Sequence, residues 1–131
     1  IVEEDEGDRG VRKLLNYGHT VGHAVEKLSN FALPHGRAVA IGMAAAARLA
    51  VKMQLLDPEA ELRQNQLLAA LELPIVLPEK SCVKNIVEAM KSDKKNSRGK
   101  ITMVLPEAIG KVVICRDIDE KLLTESLQEL L

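Results

Sequence analysis

All three histidines of this chain, His19, His23 and His35, fall in one short stretch. His19 and His23 are four residues apart, so on a helix they share a face. His35 follows the Pro34 loop and stands at the start of a second helical pattern. If the two segments pack as a hairpin, all three imidazoles can converge. Imidazole is the commonest protein ligand for zinc, and two histidines with one carboxylate form a known catalytic zinc set. Pairs at this spacing also occur on helices that bind no metal, so their neighbours decide the reading. Gly18 and Gly22 each precede a histidine. Glycine inside a helix costs about 1 kcal/mol relative to alanine, a cost offset if a ligand or a second backbone comes close beside the imidazoles. Helix–helix contact with an alanine-rich partner would explain the glycines equally well. Arg12 and Asn16 lie on the same stripe, since 12, 16, 19 and 23 step by four, three and four. One helical face thus carries Arg, Asn, His and His, which suits an anionic, hydroxyl-rich ligand better than a core. A solvated face would also accommodate Arg12. The loop Asp93-Lys94-Lys95 is a second candidate, because loop lysines can meet phosphate or carboxylate as point charges or simply face water.

The elements that must position these residues are mostly helical. Apolar residues three or four apart predict a first helix, introduced by Asp8-Arg9-Gly10 and running to about Leu28. A loop over Ser29 to Pro34 precedes a second helix from Gly36 to Leu56, alanine-rich and apolar on most faces, hence buried. Asp57-Pro58 supplies an N-cap and a first-turn proline for a third helix to about Leu71. Ser81 is the expected cap of a fourth helix, Cys82 to about Lys91. The polar stretch Ser92 to Lys100 reads as a loop. Ile101 to Leu105 and Lys111 to Cys115 read as a small hairpin, and Asp117 with Glu120 three residues on as the start of a last helix to Leu131.

The composition agrees. The 131 residues fit one domain, with 47% hydrophobic residues but only 2% aromatic, so the core must be Ala, Leu, Val, Ile and Met. A net charge of −1 lacks the basic excess of a nucleic-acid binder. The longest apolar stretch, Ala38 to Ala47, is too short to span a bilayer, and no secretory signal is present, so no membrane is expected and the location is cytoplasmic by default. Cys82 and Cys115 form no C-x-x-C pair and are expected as buried free thiols of a reducing compartment. There is no dinucleotide fingerprint, Walker loop, nucleophile elbow or H-E-x-x-H. The chain begins Ile1-Val2-Glu3, without Met, as if cut from something longer.

The run Arg12-Lys-Leu-Leu-Asn16-Tyr-Gly-His19-Thr-Val-Gly-His23-Ala-Val-Glu26, followed by His35-Gly36-Arg37-Ala38-Val39-Ala40-Ile41-Gly42-Met43, closely resembles the core of the 3-dehydroquinate synthases. Asp93-Lys94-Lys95, the Ile101–Leu105 strand and Ala108-Ile109-Gly110 resemble that family too, in order along essentially the whole chain. The resemblance implies a mainly α fold: a helical domain over residues 1–131 with one small β-hairpin, the C-terminal half of a two-domain dehydroquinate synthase-like enzyme whose N-terminal nucleotide-binding domain is absent here. It implies conversion of 3-deoxy-D-arabino-heptulosonate 7-phosphate to 3-dehydroquinate and phosphate in the shikimate pathway, a lyase reaction that uses zinc or cobalt and a transiently reduced NAD. By position, His19 and His35 would be two of three metal ligands, the third being a Glu in the absent part. His23 would face the metal shell or substrate for proton transfer. Arg12 and Asn16 would hold the substrate carboxylate and hydroxyls, and one of Lys94 and Lys95 would touch the substrate. One departure stands out: the family commonly has Glu where this chain has Arg37, and an acidic residue there could support a metal ligand.

The resemblance leaves the substrate partly open, since related sugar-phosphate cyclases share the histidine pattern. A non-catalytic helical interaction module is the reading from another class. The chain by itself is expected to be inactive, to need its nucleotide-binding domain, and to be capable of homo-oligomerisation through surface normally covered.

Overall fold

The computed structural model describes residues 18–29, 33–78, 81–92, 101–108 and 111–131. Five helices and one hairpin occupy them: α1 His19–Leu28, α2 His35–Lys52, α3 Pro58–Ala70, α4 Val83–Lys91, β1 Met103–Ala108, β2 Lys111–Cys115 and α5 Glu120–Gln128. The strands pair antiparallel, with Met103 opposite Cys115 and Leu105 opposite Val113, and the register shifts between Pro106 and Ala108. The mainly helical architecture with a small hairpin is the one the residue pattern predicts.

Helix α2 is the axis of the fold. It packs against α1, α3, β1 and α5. Its run Ala44–Ala47 is buried, with Ile41 and Leu49 the large side chains that fill the space beside it. Small side chains let several elements approach one helix at once, which is how a core forms with almost no aromatics. The hairpin closes on this core through Met103 and Leu105 of β1, both buried. Beyond the paired strands, Ile118 N–H donates to the carbonyl of Ile101 at 2.9 Å and joins the two flanks of the hairpin. Leu77 N–H donates to the carbonyl of Leu130 at 2.7 Å and fastens the chain after α3 to the end of α5. No described helix is long and apolar enough to cross a membrane.

Five expectations shift. The helix expected from Asp8-Arg9-Gly10 to Leu28 begins only at His19, because Gly18 is a left-handed N-cap at φ 86°, so Gly18 lies outside the helix and α1 carries His19 and His23 without Arg12 or Asn16. The second helix ends at Lys52 rather than Leu56, because Gln54 turns left-handed at φ 64°. Ser81 does not cap α4: the N-cap position falls on Cys82, and the Ser81 hydroxyl donates to the carbonyl of Pro78 instead. The last helix starts two residues later than the Asp117–Glu120 pattern predicts. Asp119 is the cap, accepting from Lys121 N–H at 2.9 Å, while Asp117 sits at φ 57° in the turn before it. Of the two free cysteines, Cys82 is exposed and Cys115 only half-buried, so neither is a core thiol. Burial pushes the Cys115 thiol up from its ordinary value, with the negative charge of Glu107 adding to it.

Candidate metal centre

The site is built where α1 and α2 meet. Gly18 caps α1 with φ 86°, a left-handed conformation that glycine adopts without strain. A side chain at Gly22 would come within 2.7 Å of the Ala38 carbonyl oxygen, and one at Gly42 would collide with the carbonyl of Gly18. The two helices therefore touch backbone to backbone. This decides between the alternatives the sequence left for Gly18 and Gly22: they serve helix–helix contact. That contact in turn brings the first residues of the two helices close enough for their side chains to meet.

His19 and His35 are those first residues. Their ring centres lie 5.4 Å apart, with the ring planes inclined at 49°. His19 is half-buried and His35 exposed. His23, one turn further along α1, is exposed. The structure thus shows one ring contact, between His19 and His35, and leaves His23 on the open side of α1. The sequence allowed all three imidazoles to converge, and two of them do. Arg12, Asn16, Lys94 and Lys95 lie outside the described residues.

The pair fits a metal. With a metal–nitrogen distance of ~2.0–2.1 Å and tetrahedral angles, two imidazoles on one zinc place their ring centres about 5 Å apart. The 5.4 Å separation of the ring centres is of that size. Among the described residues no three of His, Cys, Asp and Glu are grouped to hold a metal ion. A metal held by this pair would need a further ligand from outside the described residues.

Glu26 is the residue the sequence reading passed over. Its carboxylate lies 3.1 and 3.3 Å from Nδ1 of His35. Its side chain is only 13% exposed, against 60% for His35. It was visible in the sequence only as three residues beyond His23, one turn along α1, and nothing there showed that His35 would arrive beside it. Arg37, the departure from the resemblance, is exposed. The carboxylate beside His35 comes from α1 and not from the position of Arg37.

A cavity of about 220 Å³ lies away from the histidines, between the end of α1 and the start of α4, with Val25, Leu28, Cys82 and Ile86 among its walls. It is lined by none of the candidate site residues.

The fold and site together define a helical domain that presents two histidines from the starts of two touching helices. Comparison with known proteins gives the family. Residues 1–96 match the family model described as 3-dehydroquinate synthase C-terminal, and the chain belongs to that family. It is 40% identical over 124 residues to the 3-dehydroquinate synthase of Rippkaea orientalis, covering 94% of this chain and 34% of that protein. The chain spans about a third of the length of the curated relatives it matches. Among solved structures it is similar to 2-deoxy-scyllo-inosose synthase complexed with carbaglucose-6-phosphate, NAD+ and Co2+, with a TM-score of 0.79 and 27% identity over 90% of this chain and 35% of that one. It is likewise similar to the 2-epi-5-epi-valiolone synthase of Streptomyces hygroscopicus subsp. jinggangensis with NAD+ and Zn2+ bound, with a TM-score of 0.78 and 29% identity over 89% and 32% of the two chains.

Proposed function

We propose that residues 1–131 are the helical, metal- and substrate-binding part of a cytoplasmic 3-dehydroquinate synthase. The complete enzyme would convert 3-deoxy-D-arabino-heptulosonate 7-phosphate to 3-dehydroquinate and phosphate, in the shikimate pathway, with NAD and zinc or cobalt. The single observation that carries the reading is the His19–His35 pair, held at a metal-sharing distance by two helices that meet at glycines. The curated relatives' names and the NAD+ and metal in the two solved structures support it.

His19 and His35 hold the metal in this reading, and a carboxylate from the nucleotide-binding part outside these residues completes the set. When bound, the metal supplies Lewis acidity to the substrate's reacting oxygens. His23, exposed one turn beyond His19, faces the substrate side and moves a proton. Arg12 and Asn16, carried over from the resemblance, complete the substrate contacts in this reading; the guanidinium of Arg12 suits a paired grip on the substrate carboxylate, and Asn16 meets its hydroxyls. One of Lys94 and Lys95 neutralises substrate negative charge. NAD is bound by the other part, so these residues alone bind the metal weakly and turn nothing over.

The test is a zinc titration of the protein beside His19→Ala and His35→Ala. Each substitution should abolish binding at this site. Binding that survives both, or that depends on His23 alone, would overturn the assignment. The likeness to the inosose and valiolone synthases favours a second reading, a related sugar-phosphate cyclase. A substrate panel with the complete enzyme decides between the two. Release of phosphate from the heptulosonate supports the first, and turnover of only another sugar phosphate supports the second.

A further inference from the structure

A metal ligand histidine must present one ring nitrogen unprotonated and must be held so that this nitrogen points at the metal. His35 is poorly equipped for that by its own helix. It is the first residue of α2, it is 60% exposed, and the Pro34 N-cap before it makes no side-chain cap. An exposed first-turn side chain samples several rotamers unless something outside the helix holds it.

The contact that holds it comes from α1. Both carboxylate oxygens of Glu26 lie within reach of His35 Nδ1, at 3.1 and 3.3 Å. An ionised carboxylate only accepts, so Nδ1 is the protonated nitrogen and donates. In the neutral imidazole the lone pair is then left on Nε2, at the far edge of the ring. Glu26 is itself fixed. Its side chain is largely buried, and its backbone carbonyl accepts the Ser29 hydroxyl at 2.8 Å, while Ser29 Oγ accepts Leu33 N–H at 3.3 Å. The end of α1, the loop and the start of α2 are thereby stitched around one carboxylate–imidazole contact. Arg37, two residues past His35, is exposed.

We propose that Glu26 is a positioning residue for the metal site: its carboxylate selects the Nδ1–H tautomer of His35 and aims Nε2 as the metal-binding atom. The proposal rests on the reading of His35 as a ligand. It differs from a role for Glu26 as a ligand itself, because a carboxylate hydrogen-bonded to Nδ1 faces the edge of the ring opposite Nε2. Partners of this kind orient ligand imidazoles, and their loss lowers metal affinity about 10- to 100-fold.

The experiment measures zinc affinity by chelator competition, and the visible spectrum of the cobalt form, in the full-length protein. The variants are Glu26→Gln, Glu26→Met and His35→Ala. Gln keeps a neutral acceptor for Nδ1–H, and Met keeps the volume with no acceptor, so both are suited to preserve the fold. The expected result is a loss of zinc affinity of about 10- to 100-fold for Met, a clearly smaller loss for Gln, and abolition for His35→Ala. The cobalt bands should shift for Met and stay near wild type for Gln. Equal, ligand-sized losses for Gln and Met would make Glu26 a ligand and overturn the proposal. Unchanged affinity in both, with His35→Ala abolishing binding, would overturn it while leaving the metal reading intact. Unchanged affinity in His35→Ala would sink the metal reading and the proposal together.

Discussion

Gly36 and Gly42 stand six residues apart in α2, and the structure assigns them opposite consequences. A side chain added at Gly36 meets nothing within 4 Å. One added at Gly42 meets the backbone of Gly18 and Gly22, which cannot move without separating the helices. Gly36→Ala should therefore stabilise the protein by about 0.4–1 kcal/mol, through loss of unfolded-state freedom. Gly42→Ala should destabilise it by about 1–3 kcal/mol, as overpacking does, and should also weaken metal binding, because the same contact sets the His19–His35 separation. Urea denaturation of the two variants with a parallel zinc titration checks both; a Gly42→Ala protein of wild-type stability would contradict the close crossing. The histidines and glycines were legible in the sequence because their types and spacing are unusual for a helix. Glu26 was not, since its meaning depends on which side chain lies across from it, and a single sequence does not print that pairing.

At the scale of elements, the sequence was informative wherever an element carries its own signal. Asp57-Pro58 opens α3 as the pattern predicts, with the Asp57 carboxylate accepting Glu59 N–H at 3.0 Å. The end of α3 falls at Ala70, against about Leu71 expected, whereas the end of α2 was less legible. Both α2 and α3 stop with a left-handed non-glycine residue, Gln54 at φ 64° and Glu72 at φ 62°. Each has the paired bonds of a Schellman end: Leu55 N–H to Ala50 and Gln54 N–H to Val51 in one, Leu73 N–H to Leu68 and Glu72 N–H to Ala69 in the other. Glycine usually takes that position, so an apolar run through Leu55 and Leu56 read as further helix. A left-handed non-glycine residue costs ~1 kcal/mol or more, partly offset by the unfolded-state freedom that glycine would add. Gln54→Gly and Glu72→Gly should each raise the unfolding midpoint modestly, by no more than about 1 kcal/mol in stability. A drop in either variant would mean that the native side chain contributes more than its backbone strain.

At the scale of the whole molecule, a group of charged residues links the central helix to two other segments. Arg48 of α2 reaches Glu61 of α3 at 3.2 Å, and Lys52 of α2 reaches Glu129, just past α5, at 2.7 Å. Arg48 Nε also lies 3.6 Å from Glu129, so the two pairs share charge. Two segments distant in sequence, α3 and the end of the chain past α5, are thus tied to the central helix. Exposed pairs of this kind contribute little, but Glu61 is one of the few buried polar residues among those described. Burial raises its pKa above the ordinary glutamate value; the Arg48 guanidinium opposes that, and the negative charge of Glu129 adds to it. The sign follows from linkage. A carboxyl whose pKa is higher in the folded state than in the unfolded state holds its proton more tightly when folded. Its stabilising contribution is complete below the unfolded value of 4.5 and is lost as pH rises through the folded value. Glu61→Gln cannot titrate, so the stability difference between wild type and this variant isolates the effect from every other carboxyl. Urea midpoints at about pH 4 and about pH 7 should show wild type losing ground to Glu61→Gln as pH rises. A difference that is flat, or that moves in wild type's favour, would mean that Arg48 outweighs burial and that the tie between α2 and α3 acts as an ion pair rather than as a buried acid.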